Sequence, residues 1–247
     1  MRSHVPALLY TVTVMTDAGQ CEAPDWLFTT MGLGTAHSCA IRLDGELRCW
    51  GCAEDPGAGP CQHQDDLLAD VAGGDAHTCA VTTDGDALCW GDDTYGQSQV
   101  EGGTMARISA GPWHTCGLQT NGYLACWGCT GITDGGAGDP TDHGQCGTYA
   151  ETCIAIAAGT AHSCAIRDNG TLRCWGCEGS IDGTPADHGQ CDPPDSVDGV
   201  TTTTFTEVAA GRFHSCAITT DADLLCWGDD SAGQASPPDL ERRGARP

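Results

Sequence analysis

The sequence predicts an all-β molecule built from repeated, disulfide-stapled blades of short antiparallel strands, and three observations predict it. One phrase, Gly-x-x-His-[Ser/Thr]-Cys, then a hairpin, then Cys-Trp-Gly, occurs five times in 247 residues. The copies run from Gly34 to Gly51, Gly74 to Gly91, Gly111 to Gly128, Gly159 to Gly176 and Gly211 to Gly228. Each copy holds two cysteines with nine residues between them, and a second set of paired cysteines lies in the loops that follow three of the copies. A unit this short cannot bury its own apolar face, so the units must stack or radiate as blades.

The hairpin comes first. Its cysteine pairs are Cys39/Cys49, Cys79/Cys89, Cys116/Cys126, Cys164/Cys174 and Cys216/Cys226. Midway lies a turn signal: Asp44-Gly45, Asp84-Gly85, Asn121-Gly122 or Asn169-Gly170, with Asp221-Ala222 as the departure. A two-residue turn would send the two sulfurs of a copy to different faces. A three-residue loop with Gly in the left-handed position sets Cys39 directly opposite Cys49. Closure by Arg42 and Glu46 makes the cysteines a non-hydrogen-bonded pair, where a Cα separation of about 4.5 Å suits a bridge. Five cross-strand bridges are expected, with a poorer left-handed residue at Ala222.

The same register sorts the faces. Ile41 and Leu47 share a face with the first bridge, as Val81 and Ala87, Leu118 and Leu124, Ile166 and Leu172, and Ile218 and Leu224 do in their copies. The opposite face pairs a small residue (Ala40, Ala80, Gly117, Ala165, Ala217) with Trp50, Trp90, Trp127, Trp175 or Trp227. An indole beside a small residue implies close packing on a neighbouring unit.

The loops come next, in two types. Copies two and five continue Asp92-Asp93-Thr94-Tyr95-Gly96-Gln97 and Asp229-Asp230-Ser231-Ala232-Gly233-Gln234. Copies one, three and four place a cysteine at once and another at the loop's end, giving Cys52/Cys61, Cys129/Cys146 and Cys177/Cys191. These cysteines appear and vanish together, so the repeat frame pairs them. Cys21 closes Asp17-Ala18-Gly19-Gln20-Cys21 as the last cysteine of a loop whose opening partner is absent, so the chain is expected to begin inside a repeat. Cys153 stands where Phe28 and Leu68 stand in their units and reads as a buried thiol, with a Cys21–Cys153 bridge as the alternative by elimination. The expected organisation is residues 1–21, ending in a partial repeat; a repeat domain over 22–236; and a disordered tail over 237–247.

Composition narrows the function. Eighteen cysteines at paired spacing point to an oxidising compartment: extracellular, periplasmic or cell-surface. Cys49/Cys52, Cys126/Cys129 and Cys174/Cys177 do have zinc-ligand spacing. Copies two and five, however, keep Cys89 and Cys226 without the second cysteine, which a zinc site common to the repeats would not allow. A formal charge of −24 repels phosphate backbones and disfavours nucleic acid. No stretch is long and apolar enough to span a membrane as a helix. The run from Val5 to Met15 has some character of a secretory leader, but Thr and Pro interrupt it and no clean cleavage site follows.

The phrase "AGxxHSCAIxxxGxLxCWG", carried by Ala158 to Gly176 and Ala210 to Gly228 and followed in copies two and five by "DDxxGQ", resembles the regulator of chromosome condensation repeat family. The resemblance covers residues 30 to 235. It implies a β-propeller, usually of seven blades, so five full repeats and a partial one imply an incomplete ring. The family includes a nucleotide exchanger for a small GTPase and secreted bacterial inhibitor proteins, and a disulfide-rich acidic chain is closer in character to the second group.

Catalysis finds no support in a nucleophile motif, a phosphate loop or paired carboxylates in an apolar setting, so the chain is read as a non-enzyme without a cofactor. The five repeat histidines, His37, His77, His114, His162 and His214, read as structural, because one per unit does not cluster ligands. Asp134, Asp139, Asp142, Asp182 and Asp187 could supply oxygens to Ca2+, but without EF-hand spacing. The residues before each histidine vary inside the fixed frame, and Trp113, Arg212 and Phe213, with Tyr95, are the expected partner-binding residues. The expected function is a non-catalytic exported scaffold for a protein partner. The alternatives are a guanine-nucleotide-exchange regulator of a small GTPase and a calcium-stabilised cell-surface module.

Overall fold

The computed structural model describes residues 26–52, 59–62, 66–129, 143–147, 149–178, 180–181, 184–194, 196–197 and 200–237. The expected N-terminal segment with Cys21, and all but the first residue of the expected tail, lie outside the described residues.

Five antiparallel blades follow one another along the chain, each with an inner, a middle and an outer strand. Blade 1 comprises Phe28–Leu33, Ser38–Arg42 and Leu47–Trp50; blade 2, Leu68–Gly73, His77–Thr82 and Ala87–Gly91. Blade 3 comprises Met105–Ala110, Thr115–Gln119 and Leu124–Trp127; blade 4, Cys153–Ala158, His162–Arg167 and Thr171–Gly176. Blade 5 comprises Val200–Ala210, His214–Thr219 and Leu224–Gly228. Its long first strand also pairs with the outer strand of blade 4, Thr171 opposite Thr204 and Arg173 opposite Val200. Each inner strand carries a register shift at the same place, as between Phe28 and Thr30 or Leu68 and Asp70.

The hairpins form as their turn chemistry dictates. Arg42 N–H donates to Glu46 O at 2.9 Å, Gly45 N–H donates to Arg42 O at 2.9 Å, and Cys39 stands opposite Cys49. The turn glycine has φ of 87° at Gly45, and in the fifth copy Ala222 takes the same left-handed conformation at 66°. All five cross-strand bridges close, with Cα separations of 4.0 to 4.1 Å.

The joints explain the two faces. The bridge face of each blade packs on the Trp face of the next. Cys39, Ile41 and Leu47 meet Leu68, Val71, Ala80 and Trp90. Cys79 and Val81 meet Met105, Ile108 and Trp127; Leu118 and Leu124 meet Cys153, Ala165 and Trp175; Ile166 and Leu172 meet Phe205, Ala217 and Trp227. Among the described residues no such cluster joins blade 5 back to blade 1, so the blades form an open arc. The two end faces show the difference. Met31 is 57% exposed where its equivalent Val71 is 3%, and Leu224 is 43% exposed where Leu47 is 1%. Burying each such side chain is worth roughly 1.5–3 kcal/mol, so the joints carry much of the stability.

Three recurring hydrogen bonds lock each joint. The turn carbonyl of one blade accepts an N–H from the inner strand of the next: Gly45 O from Leu68, Gly85 O from Met105, Gly122 O from Cys153 and Gly170 O from Phe205, at 2.7 to 3.1 Å. The loop between blades turns a carbonyl onto the next indole: Pro60 O accepts Trp90 Nε1–H, Gln97 O accepts Trp127, Gln145 O accepts Trp175 and Gln190 O accepts Trp227, at 2.9 to 3.1 Å. Finally, the repeat histidine reaches the hydroxyl that follows the next histidine: His37 to Thr78, His77 to Thr115, His114 to Ser163 and His162 to Ser215, at 2.7 to 3.0 Å. The histidines therefore do more than fix local backbone at a strand start; they cross-link blades. The Gly of Gly-x-x-His is required because a Cβ on Gly34 would lie 2.2 Å from His37 Cε1.

Candidate functional site

The inner strands of all five blades surround an open central channel of about 700 Å³. Asp70 is buried beside it, its Oδ2 accepting the Ile108 N–H of the next blade at 3.0 Å, and burial raises its pKa. At one mouth of the channel the five Gly-x-x-His turns converge around a space of about 200 Å³. Backbone bonds stitch them together: Thr35 N–H donates to Gly74 O at 3.1 Å, Asp75 N–H to Pro112 O at 3.4 Å and Thr160 N–H to Gly211 O at 3.2 Å.

This rim carries the variable residues. Thr35, Ala36, Asp75 and Ala76 are exposed, whereas Ala161 is fully buried. Trp113 from blade 3 and Phe213 from blade 5 pack into one apolar cluster with Ala161 and Ala186, and both are half-buried. The Phe213 ring centroid lies 4.5 Å from that of His188, and the exposed Arg212 places its Cζ 5.0 Å from the Phe213 centroid. Three of the four expected partner-binding residues thus share one neighbourhood. The fourth, Tyr95, is half-buried in the loop after blade 2, where its N–H donates to Gln97 Oε1 at 2.7 Å; it is not in that cluster. Ala186 and His188 come from the loop after blade 4, outside the repeated phrase. The repeated Asp-His-Gly-Gln, at Asp142 to Gln145 and Asp187 to Gln190, is the signal that singles that loop out.

The loops that support the rim are clamped. Cys52–Cys61, Cys129–Cys146 and Cys177–Cys191 close the three cysteine loops with Cα separations of 5.9 to 6.4 Å. In the loop after blade 2, Asp92 and Asp93 act as turn formers. Asp92 Oδ1 accepts Thr94 N–H at 3.2 Å and Oδ2 accepts Gln97 Nε2–H at 2.7 Å, while Asp93 Oδ1 accepts Ser98 N–H at 3.0 Å. The hydrogen bond that the Thr94 hydroxyl donates to Asp92 Oδ1, at 2.6 Å, does most to hold the Asp92 carboxyl below its ordinary pKa. Cys153 is a buried free thiol, pushed up to about 11, first by burial and then by Glu151. Among the described residues no group of three or more His, Cys, Asp or Glu is placed to hold a metal ion. Asp134, Asp139, Asp142 and Asp182 lie outside the described residues, and Asp187 Oδ1 accepts Gly189 N–H at 2.8 Å. Among the described residues no helix is long and apolar enough to cross a membrane.

No curated protein matches the chain. Solved structures share its fold. The Crinkly WD40 ectodomain of the receptor kinase ACR4 from Arabidopsis thaliana is 21% identical over 81% of this chain and 65% of its own, with a TM-score of 0.56. The ectodomain of the receptor kinase CR4 from Physcomitrella patens is 22% identical over 82% of this chain and 50% of its own, with a TM-score of 0.59. Prp20p from Saccharomyces cerevisiae is 19% identical over 81% of this chain and 58% of its own, with a TM-score of 0.60. The chain thus spans between 50% and 65% of the length of these neighbours. The family model for the regulator of chromosome condensation (RCC1) repeat matches residues 28–55, 69–97, 106–131, 153–180 and 205–234, one match to each blade and together more than half of the sequence. With the repeat phrase, the blade geometry and these five matches in agreement, the chain belongs to the RCC1 repeat family.

Proposed function

We propose that this chain is a non-catalytic, exported scaffold that binds a protein partner through the rim around Trp113, Arg212 and Phe213, with Tyr95 at its margin. The observation that carries this reading is the single cluster that Trp113 and Phe213 form with Ala161 and Ala186, under an exposed Arg212. Aromatic residues and arginine held on a rigid frame lose little freedom on binding, which is the chemistry of an interface anchor. Sixteen bridged cysteines support an oxidising compartment and oppose an intracellular exchange role. Two of the similar folds are receptor ectodomains, and Prp20p is described with its binding to Gsp1p and histones, so the fold serves protein recognition elsewhere. Nothing in the rim is arranged for bond-making chemistry.

The test is alanine substitution against a partner captured by the oxidised protein. Trp113→Ala and Phe213→Ala should each weaken binding by about tenfold or more, that is by about 1.4 kcal/mol, and Tyr95→Ala by less. Near-UV circular dichroism would confirm that the variants keep the fold. Unchanged affinity in both rim variants sinks the reading.

A further inference from the structure

Every described blade joint holds an imidazole that has no place for a second proton. Nε2 of His37, His77, His114 and His162 lies within 3.0 Å of the hydroxyl of Thr78, Thr115, Ser163 or Ser215. The first three hydroxyls donate onward, Thr78 to Pro60 O, Thr115 to Gln97 O and Ser163 to Gln145 O, at 2.7 to 3.0 Å. A hydroxyl has one proton, so its oxygen accepts from the ring and Nε2 carries the hydrogen. In those three rings Nδ1 is then the bare nitrogen, and in all four Nδ1 is buried without a hydrogen-bond partner. A second proton would leave a donor and a charge buried there with no acceptor.

The surroundings act both ways, and burial decides. Asp75 beside His37, and Asp75, Asp92 and Asp93 beside His77, favour the cation, but burial outweighs them; His77 also faces His37. His114 faces His77, His143 and His162, and His162 faces His214, so cationic forms would repel one another. Burial, chiefly, brings His77 and His162 down to about 4 and His114 to about 3, and it lowers His37. The rings are chain neighbours of the rim: Trp113 precedes His114, Ala161 precedes His162 and Phe213 precedes His214. His143 and His188 each bury an unpartnered Nε2 in the adjoining loops.

We propose that the rim is acid-released: proton uptake by the interblade histidines separates the loops that carry Trp113 and Phe213, and a partner held at neutral pH is let go. The partner's release rests on the binding reading above, whereas the opening of the rim does not. When a joint opens, each ring takes a proton with its ordinary pKa of about 6.5. The open state therefore binds more protons between pH 6.5 and about 4, and the closed state is lost progressively as pH falls through that window. The opening equilibrium rises on the order of tenfold per ring per pH unit there, so several rings make a steep transition. Asp70, with its raised pKa, works in the opposite direction by taking up a proton while the fold is intact.

The test is a histidine-ring NMR titration of the oxidised full chain from pH 8 to 3.5, with hydrogen exchange of residues 111–114, 159–162 and 211–214. The expected result is silence of the four joint rings down to about pH 5. Below that a single steep step should take up more than one proton and deprotect the three rim segments, while the bridged strands stay protected. Rings that titrate one by one near pH 6.5 in the folded protein, or a rim unchanged to pH 3.5, would overturn the proposal. His114→Gln, which keeps a donor and cannot titrate, should move the step to lower pH; if it does not fold, the wild-type ring titration still decides. Trp113→Ala and Phe213→Ala that both bind like wild type would remove the binding reading and leave the acid opening to stand or fall on the titration.

Discussion

The loops after the second and third blades end in the same place by different means. Both present the carbonyl of a glutamine, Gln97 or Gln145, to the indole of the next blade and to a hydroxyl beside it. The second-blade loop reaches that point through six residues from Asp92 to Gln97, held by side-chain acceptors on Asp92 and Asp93. The third-blade loop is held by a bridge that spans 17 positions from Cys129 to Cys146, and the bridges in the first and fourth loops span 9 and 14. Carboxylate clamping works only at one length, because the acceptors must meet donors a fixed few residues on. A bridge placed directly after the capping carbonyl fixes that carbonyl whatever the loop does in between. This separates loop length, and with it loop chemistry, from the integrity of the joint.

Three variants sharpen or break that contrast. The largest effect belongs to Cys129→Ser with Cys146→Ser. Opening a loop of that length should cost about 3 kcal/mol by chain entropy, read as a lower denaturation midpoint with loss of the buried signal of Trp175. Asp92→Ala should cost about 1 kcal/mol in the same assay, because its hydrogen bonds are partly screened by solvent. If Asp92→Ala proves the more damaging, the carboxylate clamp is the stronger of the two. The smallest effect is a gain. Ala222→Gly should stabilise by roughly 0.5–1 kcal/mol, since an alanine at φ 66° is strained and glycine is not. No gain in melting temperature would show that the fifth turn carries no strain.

The fifth turn also shows where the local pattern stops being informative. Its departure from Asp-Gly predicts strain, but only the structure shows why alanine is tolerated there. At Gly85 a Cβ would lie 2.3 Å from Thr104 Cγ2, and at Gly170 3.0 Å from Thr204 Cβ, both at the edge of the following blade. Among the described residues no blade follows Ala222. Faces, register and both cysteine frameworks were legible because strand alternation and turn length are local rules repeated five times. The histidine cross-links were not, because His37 and Thr78 lie 41 residues apart. Their signature was nonetheless present: the residue after every repeat histidine is Ser or Thr, namely Ser38, Thr78, Thr115, Ser163 and Ser215. The rim was half legible. Variation inside the frame singled out Trp113 and Phe213, whereas Ala186 beneath them comes from a loop of different length in every copy.

The turn carbonyl that accepts an N–H from the next blade's inner strand has a consequence for how the molecule is made. Gly45 and Leu68 are 23 positions apart, as the sequence numbering gives, and the cysteines of a hairpin are only ten apart. Each hairpin can close its bridge without any residue of its successor, and its tip then offers a ready-made acceptor to the strand that follows. Contacts of such short range favour rapid, vectorial assembly from the N-terminal side, each finished blade serving as the template for the one behind it.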